Sequence, residues 1–498
     1  MTINIWHMIG IIITLALITG VGIYSGSKVK NASDFTTGGG QAGPLMVCGA
    51  ILGALVGGQA TIGTAQLAFT YGMAAWWFTL GSGIGCLIMG IAYVIPLRRS
   101  GNVTLMEIIA EEFGAKAEYI ASLLCSIGIF ISIISQVISA CALLTTIFGM
   151  NYVMAGLISI ILMTVYIVFG GAWGAGMGGI VKLILLYMSS IIACGIVFFL
   201  AGGPSGVLGD IRALLVDSDL GQIVGVSTEE AVRYTYLNMI ARGASKDIGS
   251  ALSLVLGVLS TQTYAQAIWS GRSDSAARKG AFLCTLLTPP IGIACTMVGM
   301  FMRGHCLTTE EIAALGAAGK AVPAGMIELA STSQVFPMFI VHYMPALIGG
   351  IVLGTLFITV VGGGAGLSLG VATILVNDLY KKLTDKINTP ARNLIASRLT
   401  IVGVLLLAMI VASFVPGAVI NDFGFLSMGL RGTVVFLPMC AGLFLKGRIR
   451  PTWAMVSIIL GPITLFLFKW IGLSVDPLFP AMGVAAICLC LGMIGKGR

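Results

Sequence analysis

Charged residues are scarce in this chain. Asp, Glu, Lys and Arg make up 9% of its 498 residues, whereas soluble domains carry about 25%. Apolar residues make up 57%, and they gather into stretches of about 18 residues or more, each long enough to cross a hydrocarbon core as a helix. The composition therefore excludes an ordinary soluble domain and predicts an all-α polytopic membrane protein in the lipid bilayer.

Candidate metal ligands and disulfide partners are also few. The three histidines (His7, His305 and His342) lack the spacing of a metal site. All but one of the eleven cysteines fall inside apolar stretches, and Cys306 has no partner in its predicted external loop. We therefore expect no disulfide framework, no metal centre and no other cofactor. The net charge of +8 is explained by membrane topology and does not predict nucleic-acid binding.

The apolar stretches fit about thirteen transmembrane helices. With the N-terminus outside and the C-terminus cytoplasmic, most of the twenty-seven Lys and Arg residues fall on the cytoplasmic side of the inner (plasma) membrane. The first stretch lacks a basic n-region and a cleavage site, so we interpret it as a retained helix and not a signal peptide. The predicted spans are 5–25, 44–71, 74–97, 117–148, 152–171, 178–201, 248–270, 280–303, 342–377, 397–415, 425–445, 451–471 and 477–495.

The order of the spans suggests an internal repeat. Spans 2–6 and 7–11 are predicted to form two five-helix repeats of opposite orientation. The external stretches contain STEEAVRYTYL and TTEEIAAL, which predict small helices, with a disordered loop as the alternative for each. The predicted parts are a peripheral helix and cytoplasmic loop (1–43), the first repeat (44–202), an external loop (203–247), the second repeat (248–446) and two peripheral helices (447–498).

Two of the predicted spans are interrupted by polar residues. The second span reads GALVGGQATIGTAQ over 53–66, and the seventh reads STQTYAQ over 260–266. Paired broken helices at matching positions indicate the binding site of a secondary transporter. The alternative is that glycine provides a packing surface and glutamine an interhelical hydrogen bond. The predicted solute contacts, which include polar residues of the fourth span, are Gln59, Ala60, Thr61, Ser132, Gln136, Thr261 and Gln262.

Other functional classes lack their signatures. A channel needs a filter repeated around a pore axis, and an intramembrane enzyme needs convergent acid–base groups; the sequence offers neither. Asp and Glu are missing from the middle of the predicted spans, so a cationic solute would have no counter-charge. The predicted partner is therefore a small organic solute that is neutral, zwitterionic or anionic. A transporter-like solute sensor is an open alternative, and the sequence does not indicate an oligomeric state.

Several short motifs follow one another along the chain in a characteristic order. They are ASDF at 32–35, TLMEI at 104–108 before Phe113-Gly114, Gly170-Gly171, Gln262 and Gln266 before AARKG at 276–280, and PALIGG at 345–350 before NDLYK at 377–381. In order and spacing, this set resembles the sodium:solute symporters, which carry proline, sialic acid, sugars or pantothenate. The resemblance implies the leucine-transporter fold of inverted repeats, with an extra first helix and broken helices 2 and 7.

The resemblance also implies a sodium site, and this sequence departs from it. In the family, two backbone carbonyls at the break of the second span and hydroxyls on the ninth span hold sodium. The carbonyl positions fall on Gly53 and Val56, and the two hydroxyl positions fall on Gly362 and Gly363, which have no side-chain oxygen. A third position of the ninth span falls on Thr359. Sodium symport through the carbonyls and Thr359 is one interpretation.

Lys182 is the charge that the sequence singles out within a predicted span. An ammonium in a bilayer costs roughly 2.5–3.5 kcal/mol on insertion scales. By resemblance, Lys182 stands at a glutamine of the family, and the preceding Thr-Asp pair falls on Gly178 and Gly179. Some sodium-independent carriers of this fold superfamily similarly use a lysine on the equivalent helix.

Two interpretations of Lys182 follow. In the first, its ammonium replaces sodium near Gly362 and donates to carbonyls of the broken second span. Because amines removed from water release their proton more readily, proton coupling or plain exchange would then replace sodium symport. In the second, the aliphatic stem extends toward the cytoplasmic interface and the ammonium stays in water.

Overall fold

The computed structural model describes residues 3–27, 38–217, 220–383 and 389–494. Most of these residues are helical, as the apolar stretches predict. The first half of the chain forms α1 (Ile5–Gly26), α2 (Pro44–Leu55), α3 (Thr64–Tyr71), α4 (Trp77–Ile88), α5 (Val94–Ser100), α6 (Leu105–Phe113), α7 (Ala115–Phe148), α8 (Tyr152–Ala201), α9 (Pro204–Leu215), α10 (Leu220–Val224) and α11 (Glu229–Leu237). The second half forms α12 (Ala244–Leu259), α13 (Gln262–Ser270), α14 (Asp274–Leu287), α15 (Pro289–Arg303), α16 (Thr309–Ala317), α17 (Val335–Tyr343), α18 (Ala346–Ile374), α19 (Lys381–Leu383), α20 (Pro390–Ser413), α21 (Ile420–Arg431), α22 (Leu437–Phe444), α23 (Pro451–Ile471) and α24 (Leu478–Met493).

Short segments of other geometry join these helices. Three are 3₁₀-helical, namely Gly38–Gly40, Gly72–Trp76 and Thr332–Gln334. Four are π-helical, namely Gln59–Gly63, Met89–Tyr93, Leu375–Tyr380 and Gly432–Phe436. Two short strands, β1 (Cys306–Thr308) and β2 (Ile327–Leu329), pair in parallel.

The length and apolarity of the helices support a polytopic membrane protein. Nine helical stretches of the described residues are long and apolar enough to cross a membrane, or ten if α12 and α13, which bend by 45° at their junction, form one span. Three further apolar helical stretches are shorter, namely Pro44–Leu55, Tyr152–Val168 and Leu478–Met493. This count does not confirm the thirteen spans that the sequence predicts.

Helix α8 reverses direction within its length. A Cβ placed on Gly178 would overlap the hydroxyl of Tyr166, whereas a straight helix would separate these two residues by about 18 Å along its axis. The chain therefore turns back between them. The prediction of separate spans at 152–171 and 178–201 agrees with this turn.

The small helices that the polar runs predict are confirmed, and each begins at a capping threonine. Thr228 accepts from the N–H of Ala231 at the start of α11. Thr308 forms a capping box with Glu311 at the start of α16. Such caps satisfy backbone donors that have no partner in the first turn. Cys306, which the sequence places in an external loop, is buried in β1 next to the start of α16.

Glycines bring α2 and α8 into backbone contact. A Cβ on Gly49 would overlap the carbonyl oxygen of Gly176, and a Cβ on Gly179 would overlap that of Gly49. In a membrane, small residues allow such close packing between helices. The contact places Gly53 and Lys182, each about one turn further along its helix, beside each other.

Helix α18 lies at the centre of the bundle and positions the site. It packs against α1, α7 and α8, while α7 also packs against α21, and α21 against α12. Nearly every residue of α18 from Gly349 to Ile374 is buried. The interruptions at the α2–α3 and α12–α13 junctions therefore face a common set of helices.

Candidate functional site

The break in the second predicted span leaves backbone carbonyls without helical partners. Helix α2 ends at Leu55, and Val56 has the non-helical angles φ −87° and ψ 86°. The last carbonyls of a helix have no intrahelical donor, so Gly53 and Val56 can accept from elsewhere. From α7, Gln136 closes the other side of the break by accepting from the N–H of Gly58 at 2.7 Å.

Lys182 points into the bundle and donates to these carbonyls. Its Nζ lies 2.6 Å from the oxygen of Gly53, 2.7 Å from that of Val56 and 3.4 Å from that of Thr359. The three contacts match the three N–H donors of an ammonium. Thr359 offers its main-chain oxygen, because its own hydroxyl donates to the carbonyl of Thr355 at 2.7 Å. Lys182 is 2% exposed, so its stem does not extend to the aqueous interface here.

The Lys182 ammonium has no ionic partner in the described part of the chain. The ion pairs found there join other residues, and no carboxylate oxygen lies within 4.0 Å of Nζ. The contacts of the ammonium within the described residues are thus with carbonyl dipoles. This is the environment that a bound monovalent cation would experience at the same place.

The glycines of α18 decide whether a sodium ion fits. A Cβ on Gly362 would lie 3.7 Å from Lys182 Nζ and 3.8 Å from the oxygen of Gly53, while a Cβ on Gly363 would lie 3.1 Å from Gln136 Oε1. Neither glycine supplies a side-chain oxygen. Hard cations need several oxygen ligands, and the carbonyls at this place already accept from Lys182. The residues present therefore fit an ammonium and do not fit a sodium ion beside it.

Gly178 and Gly179 leave no room for the family's Thr-Asp pair. A Cβ on Gly178 would overlap the hydroxyl of Tyr166, and a Cβ on Gly179 would overlap the carbonyl of Gly49. A carboxylate at position 179 would require α8 to move away from α2. The close contact between α2 and α8 therefore depends on glycine at position 179.

Polar side chains connect the break to α7. Gln59 Nε2 donates to Ser135 Oγ at 2.5 Å and to Ser132 Oγ at 3.4 Å. Ser132 Oγ lies 2.7 Å from Ser427 Oγ on α21. All of these side chains are buried. The structure thus brings together Gln59 and Ser132 from the predicted solute contacts, and it adds Ser427, which the sequence analysis missed.

A second buried cation, Arg431, completes this network. Its guanidinium donates to Thr261 Oγ1 at 2.6 Å, to Ser132 Oγ at 3.2 Å and to Ser427 Oγ at 2.9 Å, and its Nε donates to Ser427 O at 3.1 Å. The interpretation of Lys182 as the one notable charge within a span is therefore wrong. Arg431 falls about 9 Å inside the start of predicted span 425–445. A cation at this depth in a predicted span is the sequence signal that could have identified Arg431.

Other predicted contacts lie apart from this network. Gln262 accepts from the N–H of Leu105 at 2.9 Å and donates to the carbonyl of Val103 at 2.9 Å, so it clamps the start of α6. Thr61 donates to Gly57 O within its own break, and Ala60 is buried nearby in the π-helical turn. Gln262 is thus engaged with backbone, and Thr261 alone of the α12–α13 break touches Arg431.

Some buried polar atoms have no hydrogen-bond partner among the described residues. They include Nε2 of Gln136, the hydroxyl of Ser260 and the side-chain amide of Asn421. Gln136 adjoins the first break, and Ser260 precedes Thr261 in the second. Buried polar groups are nearly always satisfied by protein or water. Asn421 lies at the first break as well, since its Oδ1 would be 2.3 Å from a Cβ on Gly63. All three groups therefore indicate polar contents beside the breaks.

The paired breaks and the buried polar groups between them define a polytopic helical carrier-like bundle. The chain belongs to the sodium:solute symporter family, whose family model matches residues 35–461. A curated relative, the uncharacterized symporter YwcA of Bacillus subtilis (strain 168), is 30% identical over 176 residues, which cover 35% of this chain and 34% of that protein. The match thus spans about a third of the relative's length.

The fold of this chain is similar to that of a solved structure. The substrate-bound outward-open state of a Na+-coupled sialic acid symporter aligns with a TM-score of 0.76 and 17% identity, over 99% of this chain and 98% of that chain. The leucine-transporter-like fold predicted from the motifs is thereby confirmed. A nucleobase-cation-symport-1 family transporter in a closed conformation, with bromovinylhydantoin bound, aligns with a TM-score of 0.47 and 14% identity, over 94% of this chain and 95% of that chain.

Proposed function

We propose that this chain is a secondary transporter of a small organic solute in which the Lys182 ammonium takes the place of a sodium ion. Membership of the family supports solute transport and, by itself, favours sodium as the coupling ion. The local contacts favour sodium-independent transport, because Lys182 donates to the carbonyls of both Gly53 and Val56. That double contact is the observation on which the proposal depends.

A fixed ammonium can do the structural work of a bound ion. Lys182 on α8 joins the end of α2 to Thr359 on α18, and these helices belong to the two proposed repeats. Alternating access moves one repeat against the other around a site at the broken helices. Lys182 would hold α2 and α18 together in every transport cycle, so no ion would need to bind and leave. The solute gradient alone would then drive transport.

Proton coupling is a second form of the same proposal. An amine removed from water releases its proton more readily than one in water. Loss of the proton from Lys182 would weaken its contact with the carbonyls of Gly53 and Val56, and would loosen α2 from α18. An inward proton gradient would then accelerate uptake, whereas simple exchange would not respond to it.

The solute site proposed here lies between the two breaks. Gln59 and Ser132 line one side, and Thr261 lies on the other, with their polar atoms joined through Arg431. Gln136 and Thr61 adjoin the first break. The paired breaks are the feature that marks the solute site in transporters of this kind.

The orientation and repeat boundaries belong to the same proposal. The excess of Lys and Arg in the loops favours an N-terminus outside and a cytoplasmic C-terminus. The repeats are placed at 44–202 and 248–446, with 1–43 and 447–498 peripheral to them. Labelling of single cysteines, introduced in the loop near 72 or in the loop near 102, would test this orientation in intact cells.

Two alternatives make different predictions in one experiment. The purified chain is first screened by thermal shift against amino acids, carboxylates and sugars, and the best ligand is then used for counterflow in proteoliposomes. Equal counterflow in choline and in sodium supports the proposal. Counterflow that requires sodium would show an ordinary symporter using backbone carbonyls and Thr359, and binding without counterflow would show a solute sensor.

A further inference from the structure

The charge of Arg431 is unbalanced in the resting structure. The side chain is fully buried, and none of the ion pairs in the described segments includes it. Its hydrogen-bond acceptors are the neutral oxygens of Ser132, Thr261 and Ser427. A buried charge without a counter-charge is costly and, within a membrane, usually serves binding or transport.

The neighbouring helix is shaped around this side chain. A Cβ on Gly128 of α7 would lie 2.7 Å from Cγ of Arg431, so a larger residue there would displace the arginine. The carbonyl of Gly128 accepts from the Ser427 hydroxyl, which leaves that hydroxyl free to accept from Arg431. The guanidinium therefore has a fixed position between α7, α21 and the α12–α13 break.

Arg431 keeps one N–H donor that no described residue accepts from. A guanidinium has five N–H donors, and four hydrogen bonds to protein oxygens are found for Arg431 within the described residues. Nε2 of Gln136, one helical turn beyond Ser132, is a further buried donor without a partner in those residues. An unused N–H on a buried positive charge suits a ligand that has acceptor oxygens and a negative charge, as a carboxylate does.

The two buried cations flank the same break. Lys182 binds the carbonyl of Val56, and Gln59, three residues further along, binds Ser132, which accepts from Arg431. Both cations make the electrostatic potential at the break more positive. The three N–H donors of Lys182 are engaged by carbonyls, whereas one N–H of Arg431 is not, so Arg431 is the cation that can still donate to a carboxylate.

We propose that the solute is a small monocarboxylate, and that its carboxylate binds the Arg431 guanidinium beside Ser132 and Thr261. This inference rests on the proposed function as a solute transporter. A single guanidinium balances a single negative charge. Among the described residues no carboxylate lies within 4.0 Å of the guanidinium, so a cationic group on the solute would have no partner there and the remainder of the solute is expected to be uncharged.

The test compares acids with their amides. Binding of acetate, propionate and lactate, and of acetamide, propionamide and lactamide, is measured by thermal shift on the full chain in sodium-free and in sodium buffers. We expect the acids to bind at least tenfold more tightly than the amides. Equal binding of acid and amide, or no binding of any acid, would overturn the inference, and this comparison needs no variant.

Matched variants assign the effect to Arg431. Arg431→Lys keeps the charge but loses the fork, and we expect at least a tenfold weaker affinity for the best acid. Arg303→Lys is the control, since Arg303 is also buried but pairs with Glu311 at 2.9 Å; its affinity should stay within twofold of wild type. Wild-type affinity in a folded Arg431→Lys variant would contradict the role of this residue.

The outcomes distinguish this inference from the proposed function. Acids that bind and exchange only in sodium would contradict the role of Lys182 and leave the carboxylate inference standing. If a neutral solute exchanges without sodium and acids have no effect, the carboxylate inference is contradicted and the proposed role of Lys182 stands.

Discussion

Nζ of Lys182 lies 2.6 Å from the carbonyl oxygen of Gly53, at the end of a helix that stops in the middle of the bundle. The relationship joins two departures from the family pattern, namely a lysine within a span and glycines where hydroxyls are expected. Under the proposed function each compensates for the other, because the ammonium donates to the carbonyl oxygens that the resemblance assigns to sodium. The predictions below test this relationship and the packing that supports it.

Replacing Lys182 by Met should abolish transport. Two backbone carbonyls would lose their donor, and a buried unsatisfied group costs about 1–3 kcal/mol. We expect a lower melting temperature and at least a tenfold drop in counterflow. Lys246→Met is a suitable control, since Lys246 is an exposed residue of α12. Counterflow by Lys182→Met at the wild-type rate would rule out an essential role for the ammonium.

A sodium site should be recoverable by design. In the double variant Lys182→Ala/Gly362→Ser, the ammonium is removed and a hydroxyl is added near Gly53 O, where a Cβ has ordinary van der Waals room. Together with the carbonyls of Val56 and Thr359, this hydroxyl provides several hard oxygen ligands. We expect a melting temperature that rises with sodium and not with choline.

The control for that design places the serine elsewhere. Lys182→Ala/Gly195→Ser adds a hydroxyl at an exposed position of the same helix, where a Cβ would meet nothing within 4 Å. Its melting temperature should not depend on sodium. A similar sodium response in both double variants would mean that the ion binds at some other place.

Gly179→Ala should destabilise the protein. Its Cβ would overlap the carbonyl oxygen of Gly49, so α2 and α8 would have to separate, and overpacking of this kind costs about 1–3 kcal/mol. Gly195→Ala on the same helix is the matched control and should melt as wild type. If the two variants have the same melting temperature in detergent, the close contact of α2 and α8 is not what holds the site together.

Gln262→Ala should affect stability more than solute affinity. The amide binds the backbone of Val103 and Leu105, so its removal frees the start of α6 without touching Arg431. We expect a lower melting temperature with a KM within about threefold of wild type. Thr261→Val, which removes a contact of Arg431, should instead raise KM. A large rise in KM for Gln262→Ala at unchanged stability would restore Gln262 as a solute contact.

Much of the fold was predictable because it follows from local patterns. Long apolar stretches predict the helices, and the polar runs STEEAVRYTYL and TTEEIAAL predict α11 and α16. The turn between Tyr166 and Gly178 also matches the predicted end of one span and start of the next. The number of spans was less accessible, since breaks and junctions divide or merge apolar stretches.

The site was predictable only in part. The sequence identified Lys182 but could not decide its direction, because the choice depends on how closely α2 and α8 approach at Gly49 and Gly179. Arg431 was missed, since a charge near the edge of a predicted span has the appearance of an interfacial residue. The backbone contacts of Gln262 with Leu105 and Val103 could not be predicted either, because tertiary pairing with a loop leaves no periodic signal.

Binding of radioactive sodium to the purified chain tests the central claim most directly. Wild-type protein is compared with Lys182→Ala/Gly362→Ser at saturating specific activity, with unlabelled sodium as competitor. The account predicts no saturable binding to wild type and saturable binding to the double variant. Saturable binding of about one sodium ion per wild-type chain, unchanged in the variant, would contradict it.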